Sequence, residues 1–290
     1  MNIYRIFYMY ITNIFYIHIL NISIIYTYML GGKRMGKVIG VINQKGGVGK
    51  TTATIDLANA IAQRKRKVLV IDLDQQGNLS KYTSADSHIP TIYEVLQAEK
   101  PIAEAVVTCG RIDVIPSSKE LSKADKEFVE HDDIFLLSDV IELIRDKYDF
   151  IFIDNGPARS TLLTMAYVAA DYIIIPAEAD DGSLDGVDEV YNDIIRYRQG
   201  KRPITKAIIS MLLLNRYENT VMHQNTKEAL EEKSENFEDH PCIATIRKGI
   251  VATECKSFRQ PVIDYDPNGN VAQDYMIAAK KLIMQVGERW

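Results

Sequence analysis

Cysteine is scarce in this chain and poorly placed for bonding. Cys109, Cys242 and Cys255 are an odd number with no C-x-x-C pair. That excludes a disulfide framework, offers no spacing for a zinc or iron–sulfur centre, and fits a reducing cytoplasm. Internal repeats, low-complexity blocks and Pro- or Gly-rich linkers are missing too, so nothing marks a second folded domain. Only about ten residues separate Met35 from the glycine-rich segment at Gly46. A helix-turn-helix does not fit there, which argues against sequence-specific operator reading by this chain itself. What remains, 47% hydrophobic and 25% charged residues, is the profile of a soluble globular protein with one substantial core.

The first thirty residues lack still more. Met1 to Leu30 contains no Ala, Gly, Pro, Val, Asp, Glu or Lys, and Arg5 is its only permanent charge. As hydropathy the run exceeds the ~20 apolar residues that cross a bilayer, so a membrane segment is one reading. It has no A-x-A-like cleavage site, which disfavours a secretory signal. The other reading is translated upstream DNA. Ile, Asn, Tyr, Phe and Met have AT-rich codons, and Gly31-Gly32 encoded as GGAGGN would be a ribosome-binding site just ahead of Met35. Residues 1–34 are therefore expected to be a spurious extension, with a membrane segment as the alternative, and residues 35–290 a single domain. Without residues 1–34, which carry Arg5, Lys33 and Arg34 and no acid, the formal charge falls from −5 to −8. Any binding to DNA must then use a local basic patch rather than bulk charge.

From Met35 onward, short β-branched runs alternate with longer helical patterns. Strand candidates are 37–43, 67–73, 111–116, 148–154, 171–177 and 206–215. Several are continuous apolar runs such as YDFIFID, the mark of strands buried on both faces. Helical patterns cover 50–64, 133–146, 160–169, 184–198, 219–232 and 270–286. Such alternation predicts right-handed crossovers and a three-layer, doubly wound, mostly parallel α/β sheet. Ligands in that architecture sit at the carboxyl ends of the strands.

The chemistry-bearing segments fall at those ends. After the first strand comes Gln44-Lys45-Gly46-Gly47-Val48-Gly49-Lys50-Thr51-Thr52. Glycines let backbone N–H groups close on phosphate oxygens, Lys50 meets the β- and γ-phosphates, and the Thr51 hydroxyl is offered to Mg²⁺ at a helix N-terminus. Asp72 and Asp74 end the second strand in IDLDQQGN, and Asp154 ends YDFIFID. A carboxylate at a strand tip beside such a loop can hold a Mg²⁺-bound water.

The KGGVGKTT form, with Lys45 ahead of the glycines, resembles the deviant Walker-A ATPases, and among them the ParA family most. VLVIDLDQQGN is similar to that family's D-x-D-P-Q-G-N segment, YDFIFIDNGP to its Walker B, and SFRQPVIDYDPNGNVAQDY to its C-terminal signature. The resemblance runs from Met35 to the C-terminus. It implies an ATP-dependent homodimer in which Lys45 reaches the partner's phosphates, with Asp74 orienting the attacking water. It also implies that Thr51, Asp72 and Asp154 serve the metal and that Asn215 contacts the adenine. It further implies non-specific binding to double-stranded DNA, a ParB-like centromere-binding partner that stimulates hydrolysis, and a cytoplasmic, nucleoid-associated location. Candidate DNA contacts are Arg247, Lys248, Lys256 and Arg259. Arg196, Arg198, Lys201 and Arg202 form a second basic cluster, whose pattern is that of a solvated helix end.

Departures from the family pattern fall on the loops that would respond to nucleotide. Gln75 stands for the usual Pro, Asn155-Gly156 for Thr-Pro, Asp56 for Asn and Cys255 for Ala. Losing Pro and gaining Gly leaves those loops more backbone freedom. Cluster cysteines of the nitrogenase iron-protein branch are absent. A MinD-like membrane-associated positioning ATPase is the alternative, but the last apolar stretch follows the D-Y-D-P-N-G-N signature directly, as a final core helix would.

Overall fold

The computed structural model describes residues 35–180 and 182–290; the expectations for residues 1–34 lie outside the described residues. Residues 36–290 form one compact unit. In chain order it contains β1 (Lys37–Val41), α1 (Lys50–Ala62), β2 (Val68–Asp72), α2 (Asn78–Tyr82), α3 (Ile92–Leu96), β3 (Val107–Cys109) and β4 (Ile112–Ile115). Next come α4 (Ala124–Glu127), α5 (Leu136–Glu142), β5 (Phe150–Asp154), α6 (Thr161–Ala169), β6 (Tyr172–Glu178) and α7 (Ser183–Gln199). The chain closes with β7 (Ile208–Tyr217), α8 (Val221–Asn236), β8 (Cys242–Arg247), α9 (Val251–Ser257), α10 (Val262–Tyr265) and α11 (Asn270–Gln285).

The eight strands form one sheet in the order β3-β4-β2-β5-β1-β6-β7-β8. Every pairing is parallel except β3 with β4. Strands β2 and β5 are buried along their whole length, because side chains on both sheet faces meet apolar helices. One face packs Ile151 and Ile153 against α5, α6 and α7 through Leu137, Met165 and Val190. The other packs Phe150 and Phe152 among Leu57, Ile61, Tyr275 and Leu282 of α1 and α11. This is the doubly wound three-layer sandwich that the alternating pattern predicts. The apolar face of α11 is buried, from Val271 to Ile283, so this helix is part of the core.

Three elements differ from the reading of the sequence. The run 111–116 is the second half of an antiparallel hairpin, turned at Gly110 with φ +64°. Strand β8 at the sheet edge alternates buried and half-exposed residues in CIATIR and so lacks the continuous apolar signature. The helical stretch 133–146 is split into a 3₁₀ segment, α5 and a second 3₁₀ turn at Arg145–Lys147.

Strand β1 is the point where the winding reverses: the chain passes to β2 on one side and later to β6 on the other. A crevice at that switch point is where open α/β sheets place ligands. The register sets Val41 beside Asp154, and Asp154 beside Asp72. The glycine-rich loop and both acids thus converge at one end of the sheet.

Candidate functional site

Asn43 fixes how the loop leaves β1. Its Nδ2 donates to the Pro176 carbonyl at 2.7 Å, and its Oδ1 accepts from the Lys45 N–H at 2.8 Å. Gly47 and Gly49 then take φ of +84° and +87°, the left-handed region that side chains disfavour. A Cβ at Gly49 would lie 2.8 Å from Asn215 Nδ2, whereas nothing lies within 4 Å of one built at Gly46 or Gly47. The loop is therefore closed on one side by Asn215 and open on the other.

Helix α1 begins at Lys50 with no side-chain cap and no acid in its first turn. By contrast α3, α6 and α8 are capped by Thr91, Ser160 and Thr220. The first N–H groups of α1 and its partial positive charge are left for an anion. Lys50 is buried here, and its Nζ donates to the Lys45 carbonyl at 2.9 Å. Burial draws its pKa down, while the Asp154 and Asp74 carboxylates push it up. A phosphate oxygen would replace that carbonyl with a full charge.

Asp154 is fully buried; Thr54 Oγ1 donates to its Oδ1 at 3.3 Å, and its Oδ2 has no hydrogen-bond partner. Burial pushes the carboxyl up to about 8, Asp72 adds to the rise, and the Thr51 hydroxyl opposes it. A buried carboxylate oxygen without a partner is costly, and a cation would relieve it. Among the described residues no three His, Cys, Asp or Glu side chains converge as a metal cluster. A cation here would take most ligands from the Thr51 hydroxyl, phosphate and water, which suits Mg²⁺ carried with a nucleotide.

Asp72 is occupied differently. Its Oδ2 accepts from Ser80 N–H at 2.8 Å and Ser80 Oγ at 2.6 Å, and its Oδ1 from Asp74 N–H at 3.2 Å. Burial raises it to about 6 against the pull of the Ser80 bonds. Both oxygens therefore help hold the 74–80 segment. Asp74 is nearly buried, its Oδ1 accepting from Gln76 N–H at 3.0 Å and its carbonyl from Ser117 Oγ. Gly156 faces it: a Cβ there would lie 3.2 Å from Asp74 Oδ1.

On the other side of the loop, Asn215 pairs in register with Glu178 and donates from Nδ2 to the Val48 carbonyl at 2.8 Å. Its Oδ1 is buried without a partner. Asn215 lines a cleft of about 460 Å³ with Gly49, Thr52, Arg216 and Ile250. The cleft adjoins the glycine loop, leaving room for the rest of a nucleotide beside its phosphates.

Three of the four candidate DNA contacts, Arg247, Lys248 and Lys256, line this same cleft. Arg247 makes a bidentate pair with Asp274, both bonds 2.7 Å, and Lys248 pairs with Glu218 at 3.0 Å. Arg259 Nη1 donates to Ser84 Oγ at 3.1 Å, and Lys256 is exposed. In the second basic cluster Arg196 pairs with Asp193 at 2.9 Å and Arg198 with Asp239 at 2.7 Å. Lys201 and Arg202 are exposed at the helix end. Lys45 Nζ lies 2.6 Å from Asp180 Oδ1 within the chain.

Sequence reasoning missed Asn43, Ser80, Ser117 and Asp180. Asn43 ends the first strand candidate just before the glycine-rich segment and Ser80 lies two residues past IDLDQQGN, whereas Ser117 and Asp180 reach the site only through tertiary contact.

A glycine cradle at the switch point, an uncapped helix behind it, a buried lysine within it and a strand-tip carboxylate beside it define a P-loop nucleotide-binding protein. A family model described as an AAA domain matches residues 36–231. The chromosome partitioning protein ParA of Myxococcus xanthus is 31% identical over 86% of this chain and 88% of its own length. The sporulation initiation inhibitor protein Soj of Bacillus subtilis is 29% identical over 86% and 98%. A proposed plasmid partition protein of Borrelia burgdorferi, solved bound to AMPPNP, superposes with a TM-score of 0.68 at 26% identity, covering 87% of this chain and 98% of that one. The chain belongs to the ParA family of P-loop ATPases.

Proposed function

We propose that this chain is a DNA partition ATPase that binds Mg²⁺ATP, closes into a homodimer, coats double-stranded DNA without sequence preference and leaves it on hydrolysis. The observation that carries the reading is the uncapped glycine cradle holding Lys50 and fronted by Lys45, in a relative of proteins named for chromosome and plasmid partition.

In this account Gly46, Gly47, Val48 and Gly49 wrap the phosphates, and Lys50 exchanges the Lys45 carbonyl for them. Thr51 and Thr52 lie at the start of α1, and Asn215 Oδ1 accepts from the base. Thr51 and Asp154 would hold Mg²⁺, which neutralises phosphate charge when bound. Asp72 serves that sphere at one remove, by fixing the segment that carries Asp74. Asp74 orients the attacking water. Lys45 leaves Asp180 and meets the partner's phosphates; such a charge-assisted bond contributes about 1.5–3 kcal/mol, enough to make dimerisation depend on the nucleotide. Lys256, Arg259 and Lys248 supply phosphate contacts to DNA, with Arg247 competing between DNA and Asp274. A ParB-like protein stimulates the slow hydrolysis.

Co-sedimentation with plain duplex DNA and, separately, with anionic liposomes tests this, each with ATP and with ADP. ATP-dependent retention on DNA, lost in Lys45→Ala, is the expected result, and retention should fall steeply with salt. Retention on liposomes alone would replace this reading with a membrane-positioning one. Among the described residues no helix is long and apolar enough to cross a membrane.

A further inference from the structure

The Gln44 side chain, immediately before Lys45, is bonded at both ends of its amide. Its Nε2 donates to Asp193 Oδ2 at 2.7 Å, and its Oε1 accepts from Arg159 Nε at 2.6 Å. The orientation is enforced, because the flipped amide would set its donor against a guanidinium and its acceptor against a carboxylate. Asp193 is buried on α7, and its second oxygen accepts from Arg196 Nη2 at 2.9 Å. One amide thus joins three parts of the molecule that are remote in sequence: the P-loop, the loop following β5, and α7.

The loop from Asn155 to Ser160 carries one of the family departures, Asn155-Gly156, and Gly156 near its start forms a wall of the Asp74 site. A cavity of about 110 Å³ is lined jointly by Asp74 and Gln75 and by Asn155, Gly156, Pro157 and Ala158 of this loop, so the loop is not packed solidly against the Asp74 segment. Its far end is tied down where Ser160 caps α6 and Thr161 N–H donates to Asp125 Oδ1 at 2.7 Å. Neither tie refers the loop to the P-loop. Arg159 does so, through Gln44. Its direct approach to Asp193, 3.9 Å with a side chain 59% exposed, is a weak ion pair. The amide bonds carry the link.

We infer that Gln44, Arg159 and Asp193 form a clasp that sets the 155–160 loop against the P-loop, and that Arg159 is a positioning residue for ATP hydrolysis. It acts through Gln44 on the wall opposite Asp74 and leaves nucleotide affinity alone. The inference rests on the ATPase reading above.

The test is steady-state ATP hydrolysis alongside calorimetric ATP binding for the full chain and for Arg159→Ala, Arg159→Lys, Gln44→Ala and the Arg159→Ala/Gln44→Ala double variant. Arg159→Ala should lower kcat about 10-fold with Kd for ATP unchanged within about 2-fold, since small misplacements cost rate rather than binding. Arg159→Lys, which keeps a donor for Gln44 Oε1, should recover most of the lost rate. The double variant should fall within about 2-fold of the slower single one, because both remove the same link. Multiplying single effects, an altered Kd with unchanged kcat, or a wild-type rate in Arg159→Ala would each overturn the clasp. Wild-type protein that neither binds nor hydrolyses ATP would instead remove the ATPase reading on which it rests.

Discussion

Residues 44–52 build their cradle from their neighbours: Lys50 Nζ reaches back five residues to the Lys45 carbonyl, and the two positive-φ glycines lie between them. The Asp74 side of the site is assembled from afar. Ser117, 43 residues away, bonds the Asp74 carbonyl, and Gly156 of another loop forms the opposite wall. A local cradle depends on backbone conformation that a handful of glycines secure. The distant wall depends on contacts between separate segments, with hydrogen bonds each worth only about 1 kcal/mol, so its geometry is less locally secured than the cradle's.

The comparison breaks first at Lys50. Lys50→Ala removes the cation of the cradle and should weaken Mg²⁺ATP binding at least about 100-fold, as the loss of one member of a buried charged pair does; calorimetry measures it. Asp74→Ala should do the opposite: hydrolysis falls by about 100-fold while affinity stays within a few-fold. A fast-hydrolysing Asp74→Ala protein would remove Asp74 from the chemistry and with it the contrast between the two sides.

A third change probes the helix behind the cradle. Asp56 on α1 is fully buried, accepts from Val262 N–H at 2.7 Å, and is pushed up to about 7 chiefly by burial. Its ordinary value is near 4, so the folded chain holds a proton that the unfolded chain releases. Stability should therefore fall as pH rises from about 4 to about 7 and stay low above that. Asp56→Asn keeps an acceptor for Val262 and cannot ionise. It should gain about 2 kcal/mol at pH 8 and almost nothing at pH 4, seen in denaturant melts at both pH values. Equal gains at the two would mean that the carboxyl is not the cause.

The smallest expected effect belongs to Gly156→Ala. The added methyl meets Asp74 Oδ1 at 3.2 Å, so the carboxylate must give by a few tenths of an ångström. Hydrolysis should drop about 3-fold with unchanged nucleotide affinity. A drop in affinity without a change in rate would place Gly156 on the binding side.

Much of the fold and of the cradle is legible in the amino-acid pattern. Continuous apolar runs announce strands buried on both faces, as β2 and β5 are. Strand β8 is not legible, because an edge strand is half exposed and its pattern is mixed. Basic residues near the C-terminus read as a DNA patch, yet Arg247 is engaged by Asp274 and shares a cleft with the P-loop residues Gly49 and Thr52. Charge is visible in a sequence; whether an acid on another helix already answers it is not.

By itself the sequence determined the winding of the sheet and the glycine cradle, since both follow from short-range patterns: apolar runs, and glycines spaced before a lysine and a threonine. Only the tertiary structure decided which carboxylate keeps an oxygen without a partner, Asp154 rather than Asp72. It also decided which side chains, Gln44 and Arg159 among them, tie the loops together. Those outcomes depend on atoms brought within about 3 Å, hydrogen-bond distance, by the packing of distant segments, and no local pattern encodes such a distance.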